Sequence, residues 1–350
     1  METSESVPLR PNPEKSHLEI DLFQDLVVGT AQYKGVKEGN CEDRIIPKFK
    51  IPLEYIKSSA SCVTLGVMDG HGGSACVDYV SNRLGSNIIS TARDFHKRNP
   101  SDSDTLQSVF RKSFSVTDSS YMEIARKNND NSGSTIVTCT IFGPDPSDGK
   151  SRILLGSLGD SRAVLYRLDP SDPSKTKMVP VGSNPVHKPS KPSEVNRITA
   201  EGGRVGKING VDRVIKQVTP GNTIGLAVSR AFGDLFMKEP KPVISSVPEF
   251  NEFVIDFERD QFVVLGSDGV FDFVSLAEIG ALVASADRTQ TGLQGAADEI
   301  AILAKTKGST DDRTCVIVDF SWATRASSTH IKRAQDDPKS DSDNDIYNID

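Results

Sequence analysis

Apolar residues along this chain gather in short, β-branched runs: Val27 to Tyr33, Cys62 to Met68, Ser134 to Phe142, Ile153 to Leu158, Ala163 to Leu168, Gln261 to Gly266 and Thr314 to Phe320. Each is bounded by turn residues, as a core strand is. Other stretches space their apolar residues helically. Cys76, Val80, Leu84 and Ile88 form one stripe, and Leu106, Phe110, Phe114, Thr117 and Tyr121 form a second behind a Ser103-Asp104 cap. Ser275-Leu276-Ala277-Glu278 has the capping-box pattern of a helix start, running toward Val283, and Ala297, Ile300, Ala301 and Ala304 mark a further helix. Strands come in runs instead of alternating strictly with helices, which predicts an α+β fold of antiparallel sheets covered by helices. Gly159-Asp160-Ser161-Arg162 joins two of the runs at hairpin spacing, so those two are expected to be antiparallel neighbours.

A proline-rich connection from Pro180 to Pro192 leads to a short helical stretch, Ser193 to Ala200. From Gly202 to Gly225 glycines interleave with Arg204, Lys207, Arg213 and Lys216, a pattern too irregular for core and suited to a surface flap. The first twenty or so residues are polar and proline-containing, and from about Ala323 the composition shifts to Ser, Asp and Lys. Both ends are expected to be disordered, as an arm over 1–22 and an acidic tail over 323–350 flanking one domain over 23–322.

The chain has 350 residues, 36% hydrophobic and 25% charged, which is enough for a sizeable soluble core. Of the net charge of −7, −4 comes from residues 333–350, where Asp336, Asp337, Asp341, Asp343, Asp345 and Asp350 face Arg333 and Lys339. The near-balanced remainder shows no basic stripe, which argues against nucleic-acid binding. Five cysteines without a C-x-x-C pair point to reduced packing residues and a cytoplasmic or nuclear protein. No secretory h-region opens the chain, and no run of about eighteen apolar residues suggests a membrane span. A monomer is expected.

The run from Cys62 to Met68 ends in Asp69-Gly70-His71-Gly72-Gly73. Asp-Gly after an apolar run can be a plain turn, but His71 adds a titratable group beside an acid and a freed backbone carbonyl. Glu42 and Asp43, next to Arg44, would ordinarily form a surface ion-pair cluster. Yet Glu42, Asp43, Asp69, Asp268 and Asp311 all stand at ends of predicted core strands. Gathered at one edge, these carboxylates would repel one another and need cations to offset them. All-oxygen ligands favour Mg2+ or Mn2+ over zinc. Two such ions sharing an acid would acidify a bound water for attack on phosphorus or carbonyl carbon.

The ordered set G-V-M-D-G-H-G-G (66–73), S-G-S-T-I-V (132–137), G-D-S-R-A-V (159–164), S-R-A-F-G-D (229–234), S-D-G-V-F-D (267–272) and D-D-R-T-C-V-I-V (311–318) resembles the metal-dependent protein serine/threonine phosphatases of the 2C type, over roughly residues 25–322. The resemblance implies an α-β-β-α sandwich with two metal ions, Mg2+ or Mn2+, at one end of the sheets and phosphoprotein substrates. By motif position Asp69 would bridge the ions, Glu42 and the Gly70 carbonyl would hold one, and Asp268 and Asp311 the other. Asp43 would orient the attacking water, His71 would be the general acid, and 191–225 would form a flap beside the site. Ser161, Arg162, Ser229, Arg230 and Asp234 are assigned to turns and buried hydrogen bonds.

Three departures bear on the site. The family's phosphate-gripping arginine before the Glu-Asp pair is missing from Val36-Lys37-Glu38-Gly39-Asn40-Cys41, leaving Lys37 as the nearest base, a point charge and not a bidentate fork. The family's D-H-K-P is Val186-His187-Lys188-Pro189, which removes an acid tied to a third, weaker ion and puts that site in doubt. Asp312 replaces the usual asparagine. Loss of the arginine and of the third-site acid gives an alternative: a catalytically weak or inactive relative acting as a binding module.

Overall fold

The computed structural model describes residues 26–320 apart from 53–54, 56–60, 98–105, 146, 175 and 220–221. The expected arm, the Ser103-Asp104 cap and the acidic tail lie outside those residues.

Strands β1 (Leu26–Tyr33) and β2 (Arg44–Lys50) lead to β3 (Ser61–Met68), and Asp69 separates β3 from the short β4 (Gly70–His71). Helices α1 (Ala75–Lys97) and α2 (Leu106–Asn128) follow. Cys76, Val80, Leu84 and Ile88 of α1 are buried, as are Phe110, Phe114, Thr117 and Tyr121 of α2. Helical spacing thus marks the faces that meet the sheet. The chain continues through β5 (Gly133–Ser134), β6 (Ile136–Gly143), β7 (Arg152–Leu158), β8 (Arg162–Leu168) and β9 (Met178–Ser183). Next come α3 (Pro192–Ala200), β10 (Arg204–Ile208), β11 (Val211–Thr219) and β12 (Asn222–Leu226). After β13 (Phe232–Gly233), α4 (Leu235–Lys238), β14 (Glu249–Val254) and β15 (Asp260–Gly266) stand α5 (Asp268–Phe271), α6 (Leu276–Ser285), α7 (Gln290–Thr306) and β16 (Arg313–Phe320). Ser275 caps α6 through the capping box with Glu278.

Two five-stranded antiparallel sheets, ordered β1-β16-β15-β8-β9 and β14-β7-β6-β3-β2, form the centre. Side chains alternate along each strand. Val63, Leu65 and Val67 of β3 and Val316 and Val318 of β16 enter a core shared by the two sheets. Cys62 and Met68 face α1 and α2, while Cys315 and Ile317 face α6 and α7. The result is the α-β-β-α sandwich.

Two expectations need correction. β7 and β8 are not a hairpin: β7 pairs with β6 and β14, and β8 with β15 and β9. Leu155 and Leu165 occupy the same inter-sheet core, so the 159–161 turn crosses between layers. Nor is the flap irregular, since β10, β11 and β12 form their own antiparallel sheet. Val214 and Ile198 anchor it on a small separate core with Val228, Met237 and Ile244. Among the described residues no helix is long and apolar enough to cross a membrane.

Candidate active site

Register brings the acidic strand ends together. Met68 at the end of β3 pairs with Arg44 at the start of β2, so Asp69 lies beside the Glu42-Asp43 turn. Gly266 at the end of β15 pairs with Cys315 in β16, so Asp268 lies beside Asp311 and Asp312. The two rims are then joined across the sheets. The Ser267 hydroxyl donates to Asp43 Oδ2 at 2.9 Å, and Asp312 accepts the Glu42 N–H at 2.7 Å and the Gly35 N–H at 2.6 Å. Asp312 works as a two-oxygen acceptor, for which a carboxylate suits better than the amide of asparagine.

Crowding shows in the charges. Burial raises the pKa of Asp43 to about 7, against the nearby hydroxyls of Thr314 and Ser267 and with help from Asp312 and Asp268. Burial also pushes Asp69 well above the carboxylate range, with Asp43, Asp268, Asp160 and Asp311 adding to it. Asp268 rises to about 6, from burial first and then from Asp160 and Asp311. Asp43 is fully buried and its Oδ1 has no hydrogen-bond partner. An open buried carboxylate oxygen among repelling acids is the donor set that hard divalent ions fit.

Glu42 Oε1 accepts the Gly73 N–H at 2.7 Å, which holds it toward the Asp69 turn. Asp311 Oδ1 is engaged by the Lys37 ammonium at 2.6 Å. Among the described residues no three His, Cys, Asp or Glu side chains gather closely enough to hold an ion as arranged. Val186 supplies no acid, and the Lys188 ammonium reaches buried Asp160 at 2.7 Å and Asp272 at 3.3 Å. Arg44 is committed to Asp78 at 2.6 Å and to the carbonyls of Cys41 and Asp43.

His71 sits in a small sheet, β13-β5-β4, where Gly70 pairs with Ser134 and His71 with Gly133. Its Nε2 lies 3.0 Å from each oxygen of Asp234. Burial of the imidazole works to lower its pKa, but the charge and hydrogen bond of Asp234 outweigh it and leave the pKa raised. A Cβ at Gly133 would collide with both partners, so glycine is required there. Asp234, assigned from the sequence to turns and buried hydrogen bonds, makes its bond to the histidine and braces it. Asp160 and Asp312 are likewise part of the site's charge network, and a sequence scan sees only acids in turns. A cavity of about 460 Å³ lies between the flap and the rim, lined by Lys188, Val211, Asp212, Asp268, Asp272 and Phe273 among others. A larger one, about 550 Å³, lies beside α2 and α4. Its cations are all paired, Arg126 with Glu239, Arg197 with Glu194 and Lys238 with Asp118, which leaves little open chemistry there.

Residues 34–313 match the family model for protein phosphatase 2C. The chain is 32% identical over 271 residues to probable protein phosphatase 2C 69 of Arabidopsis thaliana, covering 76% of this chain and 64% of that protein. It is 30% identical over 265 residues to probable protein phosphatase 2C 59 of the same plant, covering 73% and 69%. Across four such relatives the chain spans 58–69% of their length. Among solved structures, a C. elegans sex determining protein aligns with TM-score 0.65 and 26% identity, over 84% of this chain and 66% of that one. A serine-threonine phosphatase 2C from Toxoplasma gondii aligns with TM-score 0.66 over 84% of this chain and 94% of that one, and at 21% identity its likeness speaks for the fold alone. Motif order, sandwich and acidic rim agree with these matches, and the chain belongs to the protein phosphatase 2C family.

Proposed function

We propose that the protein removes phosphate from phosphoserine and phosphothreonine in proteins, inside the cell, as a monomer whose catalytic domain spans about residues 23–322. One observation carries this: acids from both sheets meet at a single rim, beside a histidine braced by Asp234. Asp69, Glu42 and the Gly70 carbonyl would hold one ion, and Asp69, Asp268 and Asp311 the other. Bound there, Mg2+ or Mn2+ would offset the acids and supply a water nucleophilic at neutral pH. Asp43, with its open Oδ1, would orient that water. A serine alkoxide leaves poorly, and His71 gives it a proton. Nε2 faces Asp234, and Nδ1 is the nitrogen left for the leaving group. Lys37 meets the substrate phosphate, so Lys37→Ala should raise KM more than it lowers kcat. Five free cysteines, four of them buried, support the intracellular setting.

The binding-module alternative draws on the acids not closing around an ion and on Lys37 occupying Asp311. Phosphate release from a phosphothreonine peptide with Mn2+, compared with release from a nucleotide, separates these readings. Faster release from the peptide is the expected result. Preference for the nucleotide would move the substrate class, and no release from either would favour the binding module.

A further inference from the structure

Lys37 is a cation lodged among the acids, and the backbone that carries it is fastened down. The Val36 N–H donates to the Thr310 carbonyl at 2.9 Å. The Gly35 and Glu42 N–H groups, at the two ends of the Lys37 loop, both end on the Asp312 carboxylate. A Cβ at Gly35 would stand 2.5 Å from the Asp311 carbonyl carbon, so the loop lies flat against the segment that bears Asp311. From this anchored loop the ammonium reaches Asp311 Oδ1 at 2.6 Å, the same oxygen that accepts the Asp312 N–H at 2.8 Å. The Asp69 and Asp268 charges also attract it, against the penalty of partial burial.

Resting on the metal reading of the rim, we propose that Lys37 is an internal counter-cation that competes with a divalent ion for Asp311. The ion that depends on Asp311 then binds weakly and exchanges readily, while the ion on Glu42, Asp69 and Gly70 is less affected. The physical ground is like-charge repulsion: an ammonium on a ligand oxygen opposes a divalent ion arriving at the same carboxylate. Competition still permits binding. The Lys37 side chain is 56% exposed, so the flexible stem can swing the charge into water once the ion arrives. An arginine fork would give up a carboxylate less easily.

Mn2+ binding to the whole protein, measured calorimetrically without substrate, tests this in wild type, Lys37→Met and Lys37→Arg, with Mn2+-dependent melting as a second readout. Removing the charge should tighten the weaker site by about tenfold, roughly 1.4 kcal/mol, and enlarge the rise in Tm that Mn2+ produces. Lys37→Arg should bind no more tightly than wild type. Lys37→Gln, also uncharged, should match Lys37→Met if charge and not packing is the cause. Unchanged or weaker Mn2+ binding in both uncharged variants would overturn the competition while leaving the metal site standing. No Mn2+ binding by wild type or any variant would instead remove the metal reading, and this proposal with it.

Discussion

His71 and Asp234 meet at 3.0 Å across a sequence separation of 163 residues, and that contact sets what each can do. If His71 is the proton donor, His71→Gln should lower phosphopeptide turnover by about 10² while sparing an aryl phosphate, whose leaving group needs no proton. Asp234→Asn should show the same selective loss to a smaller degree, since it loosens the ring without removing it. The measurement is kcat on both substrates at saturating Mn2+. Parallel losses on both would make His71 a structural residue of its turn. Asp69 and Asp268 were legible in the sequence because their signal is local, an acid directly after a buried apolar run. Asp234 and Asp160 were not, because their roles depend on partners that only the fold brings near.

At the scale of elements, the same contrast holds. Strands and helices follow from period and caps, so α1, α2, α6 and the core strands stand where their patterns predict. Sheet membership does not follow, because β7 and β8 satisfy hairpin spacing equally well whether they pair or cross between layers. The connection from β9 to the flap holds a buried group with a testable consequence. His187 has no exposed surface, its Nδ1 lies 3.2 Å from the Gly159 nitrogen and 3.1 Å from the Gly159 carbonyl oxygen, and its Nε2 stands 3.2 Å from Glu249. Burial, with Arg230 nearby, lowers its pKa from 6.5 to about 4, against the pull of Glu249 and Glu194. Between those values the unfolded chain takes up a proton that the folded one refuses, so this group's contribution to stability is lost as pH falls from 6.5 toward 4. The raised acids of the rim act in the opposite sense. His187→Gln should therefore flatten the decline of Tm over that window relative to wild type, whatever its effect at pH 7. An unchanged slope would mean that His187 is already protonated in the fold.

For the whole molecule, β1 and β16 pair along their full lengths, Leu26 with Phe320 through Tyr33 with Arg313. The two ends of the domain thus close one sheet, and Asp311, Asp312 and the Lys37 loop depend on that closure. A chain cut to residues 23–322 should keep wild-type Tm and Mn2+ binding, whereas a cut that removes Leu26–Tyr33 should unfold it. A large loss of Tm in the 23–322 chain would place the domain boundary further out. Whether acids from two sheets act as one catalytic centre is decided by steady-state phosphate release from a phosphothreonine peptide by wild type and Asp268→Asn across a Mn2+ series. Wild type should show Mn2+-dependent turnover, and the variant a loss of more than about tenfold, roughly 1.4 kcal/mol of barrier, at saturating Mn2+. Equal turnover by the two proteins would contradict a shared centre.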